Sequence, residues 1–333
     1  MYIKNNDIEK TQVIGEAAAL LKQGETVAFP TETVYGLGAD ATSEEAVAKI
    51  FKAKGRPQDN PLIAHVATID QLKGLVDKLP EYVEDLIKAY SPGPLTYVLP
   101  SNGTCASNVT AGLSTIAVRI PDHPIALDIL KTCNLPIAAP SANISGKPSP
   151  TTANHVYEDL NGKIAALVDG GATGVGLEST VIECRAEDVV ILRPGGITKE
   201  QIEKFIPVHD AKFKNADQPA SPGMKYKHYS PEMPLWLVEG NAVDIQKVIN
   251  EEQIKGKKVA LLASETIYQQ VNANQRINLG ENLEEVANRL YDALRKFKQT
   301  EVDLIIAEVF PENGIGQAIM NRLRKAMTNY IEK

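Results

Sequence analysis

Apolar residues recur at helical spacing through Ile8, Val13, Ala17, Leu20 and Leu21, with Asp7 in front and Gly24 behind. That spacing predicts a helix over 7–24, with Asp7 as N-cap and the glycine closing it. The apolar run at 26–30 reads as a short buried strand, and it delivers the chain into 31–38, Thr-Glu-Thr-Val-Tyr-Gly-Leu-Gly, which reads as a turn-rich segment. Ser43, followed by Glu44 and Glu45, opens the next helix as a hydroxyl cap with acidic residues at the positive end of the dipole. This helix runs out at Lys54-Gly55-Arg56-Pro57. Further apolar runs predict strands at 62–66, 95–99, 115–120, 136–139, 166–169, 179–183 and 189–192. Some of the gaps between them have room for a helix and others are hairpin-length, so the sheet is expected to be mixed.

After Phe205 the periodicity stops, and 210–234 holds four prolines and several lysines, the composition of a linker. Beyond it, strands at 235–238, 258–262 and 302–309 alternate with helices near 242–254, at 282–299 and from 315 on. That alternation predicts a small parallel, Rossmann-like α/β unit. The expected organisation is a first domain over 1–209, a linker over 210–234 and a second domain over 235–333.

Charge narrows the function classes. Asp and Glu number 42 against 35 Lys and Arg, a net charge of -7, which argues against a chain whose main work is gripping a nucleic-acid backbone. Cys105, Cys133 and Cys184 stand far apart with no Cys-x-x-Cys pair, so neither a disulfide framework nor a zinc site is expected. With no apolar leader at the start and no membrane-length apolar run, the expected location is cytoplasmic, away from any membrane. No P-loop, no Gly-x-Gly-x-x-Gly opening a helix after a first strand and no Gly-x-Ser-x-Gly elbow occurs.

Within this acidic chain Lys54 and Arg56 flank a glycine at a helix exit, a local arrangement suited to an anion. Three polar segments fall where strands end: 31–35, 54–65 and 140–150, the last offering Ser141, Asn143, Ser145 and Ser149. Arg119 sits in an otherwise apolar strand and wants an anionic partner, either a bound carboxylate or an Asp or Glu of its own domain. Arg193, at the end of 189–193, has the same two readings. His65 reads as a hydrogen-bonded core histidine unless neighbours give it more. Glu178-Ser179-Thr180 is either a ligand-facing turn or a hairpin. The stretch 221–231 packs Lys225, Tyr226, Lys227, His228 and Tyr229 together, as a solvated basic connector or as a lid over a phosphate-bearing ligand.

Taken in order, Phe29-Pro-Thr-Glu-Thr-Val-Tyr-Gly-Leu-Gly38, Lys54-x-Arg56 with Asn60-Pro-Leu62, Ala139-Pro-Ser-Ala-Asn143, Ser179-Thr180, Leu192-Arg-Pro-Gly195 and Pro222-Gly-Met-Lys-Tyr-Lys-His-Tyr229 resemble the threonylcarbamoyl-AMP synthases in their long two-domain form. The resemblance spans nearly the whole chain and implies a YrdC-like first domain with an open twisted mixed sheet. It also implies ATP-dependent synthesis of L-threonylcarbamoyl-AMP from L-threonine, bicarbonate and ATP, with Mg²⁺ accompanying the nucleotide. The product would pass to other proteins that modify tRNA, leaving this chain with weak or no tRNA binding of its own. By the same resemblance Lys54, Arg56, Asn60, Thr115, Ser141, Asn143, Ser149 and Arg193 surround ATP, with Lys54 and Arg56 assigned to catalysis. Thr33, His65, Arg119, Ala139 through its backbone and Ser179 hold threonine, Lys225, Tyr226, His228 and Tyr229 form a candidate lid, and no metal is held by side chains alone.

Two other readings compete. One is a carbamoyltransferase working through a carbamoyl-adenylate, since YrdC-like domains occur in hydrogenase-maturation proteins that carry further zinc-finger and acylphosphatase modules. The other is a double-stranded RNA-binding module, recognisable by salt-dependent RNA affinity without ATP turnover.

Overall fold

Ser43 does cap a helix: its side chain accepts from the Ala46 backbone N–H, and the helix Glu44–Lys54 ends at Gly55 in the left-handed conformation. The protein is described by a computed structural model covering residues 2–4, 10–211 and 229–333. Asp7, the expected cap of the first helix, lies outside the described residues; the helix itself runs Lys10–Lys22. The chain divides into two compact units, one of Met1–Ser145, Ser149–Gly174 and Glu178–Tyr226, the other of Gly146–Pro148, Val175–Leu177 and Lys227–Lys333.

The described strands of the first unit are β1 (Tyr2–Lys4), β2 (Val27–Pro30), β3 (Tyr35–Asp40), β4 (Ile63–His65), β5 (Leu95–Pro100), β6 (Thr115–Arg119), β7 (Ile137–Ala138), β8 (Ala166–Asp169), β9 (Thr180–Cys184), β10 (Val189–Arg193) and β11 (Val208–Asp210). They form one sheet in the order β1-β8-β2-β3-β7-β4-β6-β5-β9-β10-β11. It is mixed, as expected: β4 runs parallel to β6 and β5 to β9, while β2 with β3 and β5 with β6 are antiparallel. Along β2 the side chains alternate between two cores, Val27 and Phe29 joining Ile14, Leu21, Ile129 and Leu130, and Ala28 joining Val47, Ile50 and Leu86. The sheet is therefore covered on both faces.

Two expectations are corrected here. Much of 31–38 is strand, because β3 pairs with β2 across a turn confined to 31–34. Gly38 in β3 serves close packing: a Cβ on it would stand 2.6 Å from Phe29 Cε1 and 2.8 Å from the Ile137 side chain. The pattern also does not stop at Phe205, since β11 at Val208–Asp210 pairs in parallel with β10. This edge strand is three residues long, and His209 and Asp210 are exposed on it, too little hydrophobic signal to be read.

The second unit holds β12 (Leu235–Val238), β13 (Val259–Ala263), β14 (Gln275–Asn278), β15 (Leu304–Glu308) and β16 (Asn329–Ile331). Their order is β14-β13-β15-β12-β16, and every pair is parallel. The three interior strands match the expected ones. The two edge strands were not predicted, because each is short and largely polar. Helices Ala242–Ile254, Leu283–Lys296 and Gly316–Ala326 supply the crossovers.

Candidate active site

The two polar motifs of the first unit meet at one side chain. Lys54, the last residue of its helix, is buried, and its Nζ donates to the carbonyls of Ser141 at 2.5 Å and Asn143 at 2.6 Å. The loop is tied back in turn, for the Ser145 N–H donates to the Lys54 carbonyl at 2.9 Å. Ser141 Oγ donates to Asn143 Oδ1, and Asn143 Nδ2 donates to the Ile144 carbonyl. Lys54 thus sets the shape of the Ser-x-Asn loop and holds a positive charge directly behind it. Arg56 folds onto its own segment, Nη2 donating to the carbonyls of Asn60 at 3.3 Å and Pro61 at 3.2 Å. Asn60 is buried, and its Oδ1 meets no donor among the described residues, leaving an acceptor for a hydroxyl or amine.

A second cluster gathers at the carboxyl ends of the parallel strands β4 and β6, where open α/β sheets place ligands. His65 and Arg119 are register partners there. Arg119 is 3 % exposed. Its Nε donates to the Gly93 carbonyl at 3.1 Å, its Nη1 to Thr33 Oγ1 at 3.0 Å, and its Nη2 lies 2.5 Å from Glu32 Oε1. The anionic partner that its sequence context demands is thus a glutamate of its own domain. His65 Nδ1 lies 3.2 Å from the Ile63 carbonyl. Burial, and then the charge of Arg119, push its pKa down to about 3, so the imidazole is neutral at neutral pH. The Ala139 N–H donates to the Ile63 carbonyl at 3.0 Å, which docks the start of the 140–150 loop on the same strand.

Ser179 and Arg193 form a third group. Arg193 donates through Nε and Nη2 to the Ser179 carbonyl and through Nη2 to its hydroxyl, which also lies 2.8 Å from Thr96 Oγ1. Arg193 is thus tied to both the backbone and the hydroxyl of Ser179. Ser149 Oγ donates to Glu178 Oε1 at 2.5 Å, both residues being buried. Gly195 makes this arrangement possible, since a Cβ there would stand 2.3 Å from Thr180 N and 2.4 Å from the Glu178 carbonyl oxygen. The segment 178–180 leads directly into β9 and is no hairpin.

The structure therefore brings together Lys54 with Ser141 and Asn143, Arg56 with Asn60, Thr33 with His65 and Arg119, and Ser179 with Arg193. Thr115 stands at the start of β6 and Arg119 at its end, four strand steps or about 13 Å apart. Lys225, Tyr226 and His228 lie outside the described residues. Tyr229 is described, and it is buried in the second unit, stacked on Tyr291 at 5.4 Å between ring centroids with the Arg322 guanidinium 5.5 Å from its ring. Glu32 was missed by the sequence reading, although it sits inside the Thr31-Glu-Thr33 motif. The missed signal was a carboxylate within a segment of otherwise uncharged polar groups, available to an arginine lacking an anion.

Comparison with known proteins places the fold in a family. A family model described as telomere recombination matches residues 19–195, and one described as threonylcarbamoyl-AMP synthase, C-terminal domain, matches residues 197–328. The threonylcarbamoyl-AMP synthase of Bacillus subtilis is 54% identical over 319 residues, covering 94% of this chain and 92% of its own length. That of Pyrococcus abyssi is 49% identical over 318 residues, 93% of this chain and 92% of its own. The crystal structure of P. abyssi Sua5 complexed with L-threonine superposes with a TM-score of 0.92 at 46% identity, covering 100% of this chain and 99% of that one. The molecule is a two-domain enzyme built on a YrdC-like sheet. It belongs to the threonylcarbamoyl-AMP synthase family.

Proposed function

We infer that this enzyme joins L-threonine, bicarbonate and ATP into L-threonylcarbamoyl-AMP and pyrophosphate, with Arg119 and its neighbours receiving the amino acid. The observation that carries this reading is the buried Arg119, hydrogen-bonded to Thr33 beside a neutral His65, in a chain that matches along its full length a relative crystallised with L-threonine. The carboxylate of threonine binds the guanidinium, and the hydroxyls of Thr33 and Ser179 and the backbone at Ala139 surround the rest. A neutral imidazole at His65 adds a polar contact without repelling the ammonium.

ATP lies against the Lys54 loop and the Ser149 and Arg193 side of the third group. Arg56, Asn60, Ser141, Asn143, Ser149 and Arg193 present donors and acceptors to the nucleotide, and Lys54 contributes a fixed cation from behind the loop. Threonine's amine and bicarbonate condense to a carbamate with loss of water. A carbamate oxygen then attacks the α-phosphorus, and pyrophosphate leaves. The work of the chain is to position the reactants and to steady the charge on the departing phosphates. Among the described residues no group of three or more His, Cys, Asp or Glu side chains is placed to hold a metal ion. The side chains that face the nucleotide would hold Mg²⁺ only through its phosphates, where the ion would supply charge neutralisation. Transfer of the threonylcarbamoyl group to tRNA falls to separate proteins.

The test is incubation with ATP, L-threonine, bicarbonate and Mg²⁺, each omitted in turn, with pyrophosphate and adenylate followed by mass spectrometry. Adenylate is expected only in the complete mixture. Steady pyrophosphate release that needs neither threonine nor bicarbonate would overturn the reading.

A further inference from the structure

An amino acid enters its site as a zwitterion, and burying one of its charges against a partner while leaving the other unpaired is costly. A guanidinium for the carboxylate is half of what such a ligand needs. The other half is visible beside Arg119. Glu32 rides on the turn between β2 and β3, whose ends are locked by Thr31: its Oγ1 donates to the Val34 carbonyl at 2.7 Å and accepts from the N–H groups of Thr33 and Val34 at 3.2 and 3.3 Å. The Glu32 side chain is 12% exposed, and both carboxylate oxygens are buried without a hydrogen-bond donor among the described residues. Arg119 Nη2 stands 2.5 Å from Oε1 yet makes no aligned hydrogen bond. The two groups neutralise each other by proximity, and both keep bonding capacity for something else.

We infer that Glu32 holds the α-ammonium of threonine. The substrate carboxylate takes Arg119 Nη2 and the ammonium donates to the Glu32 oxygens, so that the internal ion pair is replaced by a two-point clamp on the zwitterion. Before binding, each residue neutralises the other in a dry setting; on binding, each keeps an opposite charge. His65 faces Arg119 from β4, and a neutral imidazole leaves this balance intact. The clamp selects an α-amino acid over the hydroxy acid of the same skeleton, and it fixes the nitrogen that must meet bicarbonate. The inference rests on the reading that Arg119 receives the substrate carboxylate.

The experiment compares binding of L-threonine and of 2,3-dihydroxybutanoate, which has a hydroxyl in place of the amine, to the full-length protein and its variants. Glu32→Gln is expected to weaken threonine by about ten- to a hundredfold, the loss of a charged hydrogen bond, and to leave the hydroxy acid unchanged or tighter. Equal weakening of both ligands, or no change in either, would overturn the inference. Glu32→Asp keeps the charge and serves if the Gln variant melts early: it should lose less threonine affinity, again with the hydroxy acid spared, and unaltered threonine affinity would contradict the clamp. Arg119→Gln separates the two layers. If it leaves threonine binding intact, the site assignment itself fails; if it abolishes binding while Glu32→Gln leaves the amine preference untouched, the role given to Glu32 alone fails.

Discussion

Lys54 and Arg56 have the same charge and lie two residues apart, yet the structure gives them different duties. The Lys54 ammonium is buried on two carbonyls, so Lys54→Ala strands both acceptors and should cost about 2–4 kcal/mol of stability in urea denaturation as well as activity. Arg56 is partly exposed and bonds its own loop; Arg56→Ala should abolish adenylate formation and leave the urea midpoint close to that of the parent. His65 supplies a pH signature. Its folded pKa lies near 3, below its ordinary 6.5, so the unfolded chain takes up the proton first as the pH falls. The stability it lends is complete above about 6.5 and drains away towards 3. Between neutrality and about pH 5 the parent should lose about 2 kcal/mol at this site, a loss missing from His65→Gln, and identical pH profiles in the two proteins would contradict it. At this scale the residue types of the site were legible in the sequence because cations, hydroxyls and amides clustered in three short segments. Their partners were not: that Arg119 meets Glu32 and Arg193 meets Ser179 depends on strand register.

At the scale of elements, the buried strands and the capped helix Glu44–Lys54 could be read because apolar runs and a hydroxyl cap are local signals. Edge strands such as β11, β14 and β16 could not, since they are short and half-solvated, and β1 is only three residues long. At Gly38 and Gly195 a neighbouring element occupies the space a Cβ would need. The two sites should respond differently to substitution. At Gly38 the obstacles are side chains that can shift, so Gly38→Ala is expected to cost about 1–3 kcal/mol. At Gly195 the obstacle is backbone, on which Ser179 and Glu178 depend, so Gly195→Ala should cost more than Gly38→Ala in the same thermal melt and raise the KM for threonine. Equal costs with no change in KM would show that the 178–180 segment is not held by that packing.

At the scale of the molecule, the two-domain plan was legible from the break in periodicity and from the alternation beyond it. Of the residues proposed for a lid, Tyr229 is packed with Tyr291 and Arg322 in the second unit. With a net charge of -7, tRNA affinity at physiological salt should be weak and should not alter adenylate formation. Among the described residues no helix is long and apolar enough to cross a membrane. The central claim is that three substrates end in one product. Isotopically labelled bicarbonate and separately labelled L-threonine, supplied with ATP and followed by mass spectrometry, test it most directly: the account predicts that each label appears in the adenylate in equal amount with the pyrophosphate released. An adenylate carrying only one of the labels, or pyrophosphate formed without either, would contradict it.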